Sequence, residues 1–269
     1  MADNRTPTAP ARESAAYRLA RALWHWIARR LLGARIRIER VRPASDWVKA
    51  GDRFGYQQKL AKFDIEPGQR VLDLGSGGHP FPYATVLVDR YLAPTNHRTD
   101  ALKTGGKPLV VADIDHLPFG DQAFDYIYCS HLLEHVADPI AACRELMRIG
   151  KRGYIETPTL AKDMLFGWAK GMHRWHVVGV ARTLCFYEYS DRQAAGLRSS
   201  AWSDLIYARW WHPLQDAFEE NQDIFNVVLE WSGGFDVFVF YLDGRVASFT
   251  PLHPSPASAD TELEVAARC

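Results

Sequence analysis

Short apolar runs alternate with longer amphipathic stretches from residue 70 onward. Arg70–Leu74 (RVLDL), Thr85–Val88 (TVLV), Leu109–Ala112 (LVVA), Tyr126–Cys129 (YIYC) and Gly153–Glu156 (GYIE) each read as a buried strand. Residues 132–149 place Leu133, Val136, Ile140, Cys143 and Met147 at helical spacing, and Gly150 follows as a stop signal. This rhythm predicts an α/β fold with a doubly wound, mostly parallel sheet. Asn226–Glu230 and Phe235–Tyr241 flank Ser232–Gly233–Gly234 and read as an antiparallel hairpin closing the sheet edge.

Two regions break the rhythm. Residues 160–225 are rich in Trp, His and Tyr and contain GMHRWHVV, which reads as an inserted lid. Residues 15–32 read as a helix. Tyr17, Leu19, Leu23, Trp24, Trp26, Ile27 and Leu31 share a broad face, opposite Arg18, Arg21, His25 and Arg29. The expected organisation is therefore a disordered tail plus basic amphipathic helix over 1–45, one domain over 46–249, and a Pro-rich disordered tail over 250–269.

The whole chain has 32 Lys+Arg and 32 Asp+Glu in 269 residues, so its formal charge is zero. That excludes a generally basic nucleic-acid binder. The balance is uneven, since residues 1–45 carry ten Arg against Asp3, Glu13 and Glu39. A basic helix with two Trp can lie on an anionic membrane surface or pack over the main domain, and both arrangements stay open. Cys129, Cys143, Cys185 and Cys269 form no C-x-x-C pair, which points to a reducing, cytoplasmic setting without a disulfide or zinc framework. There is no apolar run of about 18 residues and no secretory signal pattern.

The first strand runs into D-L-G-S-G-G, Asp73 to Gly78. Small residues there allow a sharp turn and close approach of a ligand to the backbone. Asp89 ends the second strand, where a carboxylate can accept from a ribose diol. Asp113 follows the third, placed to receive an exocyclic amine. A dinucleotide fingerprint would need a third glycine, but Pro80 stands in its place. An acid before the loop suits a ligand with a cationic amino-acid group, which favours S-adenosylmethionine (SAM) over NAD.

The series VLDLGSGG, VLVDRY, VVADIDHLPF, FDYIYCSHLLEHV and RELMRIGKRGYIETP resembles the class I SAM-dependent methyltransferases. It is most similar to the domain 11-like branch that includes ubiquinone- and menaquinone-biosynthesis methyltransferases. The resemblance covers about residues 70–158. It implies a Rossmann-like sheet of seven strands, six parallel and one antiparallel. It implies SAM contacts at Asp73, Gly75, Ser76, Gly77, Gly78, Asp89, Arg90, Asp113, Ile114 and Ser130, with Asp73 near the ammonium and His131 beside the sulfonium. Pro80 and Pro82 make the usual first helix short or displaced.

Methyl transfer to oxygen or nitrogen benefits from a general base, and the expected candidates are His131, His173 and His176. Arg174 would pair with an acceptor anion and Trp175 would stack on the acceptor. His131-Leu-Leu-Glu134-His135 spells H-x-x-E-H, a pattern of some zinc peptidases. No third ligand accompanies it in the sequence, so no metal is expected. Trp202, Trp210, Trp211 and His212 either line the same cavity or pack the lid. The resulting expectation is a cytoplasmic enzyme that methylates O or N of a small molecule. Methylation of RNA or protein and a non-catalytic SAM-binding scaffold are the alternatives.

Overall fold

The computed structural model describes residues 15–32, 53–95, 101–166, 172–198 and 213–251. The chain divides into two compact units, Met1–Pro43 and Ala44–Cys269. In the first, helix α1 spans Ala15–Leu32, with Leu19, Leu23, Trp24 and Trp26 exposed. The expected tail before it, Trp202, Trp210, Trp211, His212 and the Pro-rich segment from residue 252 lie outside the described residues.

The second unit is built on a six-stranded sheet. Its strands are β1 (Val71–Leu74), β2 (Val86–Asp89), β3 (Leu109–Val111), β4 (Tyr126–Ser130), β5 (Arg152–Pro158) and β8 (Asn226–Ser232). Their spatial order is β3-β2-β1-β4-β5-β8. The first five are parallel, and β8 runs antiparallel to β5. Among the described residues this sheet has six strands, where seven were expected. The order reverses between β1 and β4, and in open α/β sheets ligands bind outside the carboxyl ends of the strands at that switch point.

Alternation along β4 separates two cores. Ile127 and Cys129 join Leu72, Leu74, Leu133 and Leu146 on one face. Tyr126 and Tyr128 join Phe63, Phe81 and Tyr154 on the other. Phe81, Tyr128 and Tyr154 stack nearly parallel, with ring centres 4.1 and 5.6 Å apart. A Cβ at Gly153 would lie 2.3 Å from the Ile127 carbonyl oxygen and 3.0 Å from Trp231 Nε1. Only glycine fits where β5 crosses that edge of β4.

The helix expected over 132–149 is interrupted. A 3-10 turn covers Leu133–His135, and the α-helix runs only over Pro139–Ile149. Proline restricts the residue before it to extended backbone, and the Asp138 side chain then caps the Ile140 and Ala141 amides at 2.9 and 3.1 Å. His131 and His135 therefore do not share a helix face. Pro80 and Pro82 predict a short or displaced first helix, but residues 75–85 between β1 and β2 form turns and no helix.

The lid expectation also needs correction. Half of GMHRWHVV is a core strand, β6 (Trp175–Val180), which pairs antiparallel with β7 (Thr183–Glu188). They join β9 (Asp236–Phe240) and β10 (Val246–Phe249) in a second sheet of order β10-β9-β7-β6. The expected hairpin does not form. β8 pairs with β5 and β9 pairs parallel with β7, so Gly233–Gly234 passes the chain from one sheet to the other. Both glycines have positive φ, +70° and +130°, which this change of direction uses.

Candidate active site

A cavity of about 840 Å³ opens at the carboxyl ends of β1, β2, β3 and β4. One end is made of turns. Gly75 and Gly77 adopt φ of +72° and +54°, and a Cβ at Gly75 would press on the Leu132 side chain at 3.2 Å. The Gly75 and Ser76 amides both donate to the Val88 carbonyl, at 2.8 and 3.2 Å. Asp89 fixes the turn from the next strand, since its Oδ2 accepts from the Gly77 amide at 3.0 Å and its Oδ1 from the Tyr91 amide at 2.9 Å. Each of these oxygens retains capacity for a further donor. Arg90 and Asp113 form an ion pair at 2.9 Å across the cavity wall, and Asp113 also accepts from the Ile114 amide. Ser76 Oγ is buried without a hydrogen-bond partner.

Gly75, Ser76, Gly77, Gly78, Asp89, Arg90, Asp113, Ile114 and Ser130 all line this cavity. Asp73 does not. Its carboxylate lies beneath the turn, 1% exposed, and accepts from the Phe81 amide at 2.7 Å. The absence of a first helix leaves that amide to be satisfied by a side chain, and Asp73 takes the task.

The other end is a buried polar network. His131 has a left-handed φ of +56°, held by its amide donating to the Glu156 carbonyl at 2.8 Å. Its Nδ1 lies 3.3 Å from Glu134 Oε1. Its Nε2 lies 3.0 Å from Glu156 Oε1 and 3.2 Å from Lys162 Nζ. Both ring nitrogens are thus engaged by protein partners. His131 lines the cavity, where the general base was expected, and stands as a bridge between two carboxylates. Glu156 is fully buried and also accepts from Tyr56 at 2.5 Å, Gln57 at 2.7 Å and Tyr154. Burial pushes its pKa up, but the hydrogen bond and charge of His131 win and hold it well below the carboxylate range. Glu134, 1% exposed, is raised by burial and lowered more by its His131 hydrogen bond and by His135, to about 2.

The histidine segment docks on the 3-10 turn through three contacts. The Arg174 amide donates to the Glu134 carbonyl at 2.9 Å, and Trp175 Nε1 donates to the Val136 carbonyl at 2.7 Å. His135 Nδ1 lies 3.1 Å from the Met172 carbonyl. His173 is thereby brought to the cavity, its ring 4.6 Å from that of His135. Asp163 Oδ1 stands 2.9 Å from His173 Nδ1, off the straight hydrogen-bond line. Asp163 Oδ2 accepts from Tyr189 at 2.9 Å. Burial lowers the His173 pKa, but the Asp163 contact outweighs it and the net shift is upward.

Arg174 lines the cavity and pairs with Glu188 at 3.1 Å. Trp175 and His176 do not reach it. Trp175 is 1% exposed in the core, because strand alternation turns it inward. His176 points to the opposite face and stacks on Tyr189, 6.2 Å between ring centres. Burial lowers its pKa. Gln57, Glu156, Lys162 and Asp163 stand behind the cavity wall, against Ser130, His131 and His173, and were not anticipated from the sequence. The only sequence signal was a run of ionisable residues, Glu156, Lys162 and Asp163, beside an apolar strand.

Comparison with known proteins agrees with this geometry. Residues 72–155 match the family described as a methyltransferase domain. Over 121 residues it is 31% identical to demethylmenaquinone methyltransferase of Streptomyces avermitilis, covering 43% of this chain and 52% of the relative. The Mycobacterium tuberculosis protein of the same name is 31% identical over 105 residues, covering 38% and 45%. The chain thus spans about half the length of these curated relatives. Among solved structures, a Haloferax volcanii complex of the Trm112 activator with a methyltransferase superposes with TM-score 0.41 at 17% identity, over 72% of this chain and 100% of that one. Phosphoethanolamine N-methyltransferase 2 of Haemonchus contortus, solved with SAM, gives TM-score 0.31 at 21–22% identity, over 39% and 28%.

Proposed function

We propose that this protein binds SAM at the glycine end of the cavity and methylates O or N of a small molecule held at the histidine end. The observation that carries the reading is the cradle itself. A positive-φ glycine turn, the Asp89 and Asp113 carboxylates and the unpartnered Ser76 Oγ converge at the switch point, within the domain that matches methyltransferases. A volume of about 840 Å³ lies at the upper end of small-molecule sites and leaves room for an acceptor beside a cofactor. Gly75–Gly78 would face the methionyl part, Asp89 the ribose hydroxyls, and Asp113 and Ile114 the base. SAM when bound supplies an electrophilic methyl group.

The chain's own residues align the acceptor and exclude water. His135 and His173 are among the imidazoles at the cavity wall, with His79 and His131, and replace His131 and His176 as candidates for holding the acceptor proton. Arg174 stands on the same wall with a guanidinium for an anionic substituent. Calorimetry on the full chain should show SAM binding and no NADH binding. Labelled SAM with a metabolite extract should give a labelled small molecule. NADH binding without SAM binding would overturn the reading, and SAM binding without any methylated product would favour a scaffold.

We further propose an anionic lipid surface as the partner of α1. Exposed Leu19, Leu23, Trp24 and Trp26, within an arm that carries seven excess positive charges, match it in apolarity and charge. Among the described residues no helix is long and apolar enough to cross a membrane. Co-sedimentation with anionic but not neutral vesicles, reversed by salt, is the expected result.

A further inference from the structure

We propose that Glu134, His135 and His173 bind one divalent transition-metal ion at the acceptor end of the cavity. Each offers one donor atom, and these atoms lie within 4.8 Å of one another. Glu134 Oε1 and His135 Nε2 are 3.8 Å apart. Tetrahedral ligation at about 2.0–2.1 Å places donors about 3.3 Å apart, so small side-chain rotations close the set. A second observation is independent of the clustering. Glu134 is 1% exposed, yet its Oε2 has no hydrogen-bond partner. A buried carboxylate oxygen without a donor is what a cation would satisfy.

The groups behind the two imidazoles fit the same role. His135 Nδ1 faces the Met172 carbonyl, which accepts its proton and leaves the lone pair on Nε2, the nitrogen nearer Glu134. His173 Nδ1 faces the Asp163 carboxylate, which in turn is held by Tyr189. A metal-bound histidine ordinarily donates its other nitrogen to a carbonyl or carboxylate, as His135 does here, while His173 Nδ1 lies 2.9 Å from Asp163 Oδ1, off the straight hydrogen-bond line. Two imidazoles and one carboxylate suit Zn²⁺, Mn²⁺ or Fe²⁺ and not the all-oxygen preference of Ca²⁺ or Mg²⁺. Three protein ligands leave coordination positions open, and all three residues line the cavity.

The ion site stands on the donor set alone. Its use rests on the methyltransferase reading and takes the place of His135 and His173 as proton holders: an acceptor hydroxyl bound to the ion would give its proton to water more readily before accepting the methyl. The sequence could not show this site, because His173 is supplied by a segment 38 residues after His135.

Tag-free full chain, stripped with a chelator, should be dialysed separately against Zn²⁺ and Mg²⁺ and the bound metal measured. About one Zn²⁺ and no Mg²⁺ per chain is expected, and Co²⁺ should give a visible absorption band. His173→Ala should abolish that band. Asp163→Asn, a positioning change, should weaken Zn²⁺ by about 10–100-fold. His176→Ala should leave it unchanged. Clearly substoichiometric Zn²⁺ in the wild type, or unchanged affinity in both His135→Ala and His173→Ala, would overturn the site. SAM titrations on the same samples keep the two readings apart: metal bound without SAM binding rejects only the cofactor assignment, and SAM bound without metal rejects only this one.

Discussion

The glycine end of the cavity is made from turns that follow three neighbouring strands, whereas the histidine end draws on β4, β5, the helix at Leu160–Phe166 and the start of β6. At the glycine end the carboxylates serve backbone amides first: Asp89 those of Gly77 and Tyr91, and Asp113 that of Ile114 beside its ion pair with Arg90. At the histidine end they serve other side chains: Glu156 four of them, Asp163 two. The first arrangement shapes a loop and leaves lone pairs for a ligand. The second fixes buried side chains against one another, and its members depend on each other for charge balance. The same residue type therefore has opposite consequences when removed. Loss at the glycine end should weaken a ligand, and loss at the histidine end should weaken the fold.

Glu156→Ala tests the stronger half of that contrast. It strips Tyr56, Gln57, Tyr154 and His131 of their shared acceptor inside the core, where breaking a buried charged network costs about 3–5 kcal/mol. Urea denaturation should show a loss of that size. Its pH dependence has a definite sign. The folded-state pKa of Glu156 is depressed, so its contribution is complete above the unfolded value of about 4.3 and declines as pH falls below it. Glu156→Gln should flatten the acid limb of the stability profile relative to wild type. An unchanged midpoint in Glu156→Ala would mean that the network is not what holds this end together.

Asp89→Ala is the matching change at the glycine end. It removes hydrogen bonds to a charged group, each worth about 1.5–3 kcal/mol, and should weaken SAM at least tenfold by calorimetry. Asp73→Ala sharpens the comparison from within the same turn. Asp73 is buried on the Phe81 amide rather than in the cavity wall, so its loss should cost about 1–3 kcal/mol of stability. SAM affinity of the folded variant should fall less than in Asp89→Ala. A larger fall in Asp73→Ala would return Asp73 to the cofactor.

The difference between the two ends also explains what could be read beforehand. Strands β1 to β5 announced themselves as apolar runs, and Asp89 and Asp113 stand directly after such runs, so local pattern placed them. Two features misled. Asp138-Pro139 begins a helix that apolar spacing alone started six residues earlier. Gly233–Gly234 looks like a hairpin turn, yet the strand after it finds a parallel partner, β7, about 50 residues back in the chain. The histidine end was illegible for a related reason. Whether His131 is a base or a bridge depends on Glu156, which only the parallel pairing of β4 with β5 brings beside it. His173 and Arg174 precede β6 and both line the cavity, strand alternation in β6 then turns Trp175 into the core and His176 to the far face, and a run read as a lid carries no such division.

His176 offers the smallest expected effect and the cleanest use of that division. It stands three residues after His173 and on sequence alone is an equal candidate. In the structure His173 reaches the cavity and the Asp163 carboxylate, while His176 packs on Tyr187 and Tyr189. Burial depresses its pKa, so it is neutral at physiological pH and holds no charge that its loss would strand. His176→Ala should therefore keep SAM affinity and leave turnover within about twofold of wild type, with only a modest stability loss from the missing ring contacts. His173→Ala, measured beside it, should lower turnover by about 10²–10⁴-fold if its imidazole holds the acceptor proton. Equal falls in the two variants would place His176 in the reaction and remove the division of roles that β6 imposes.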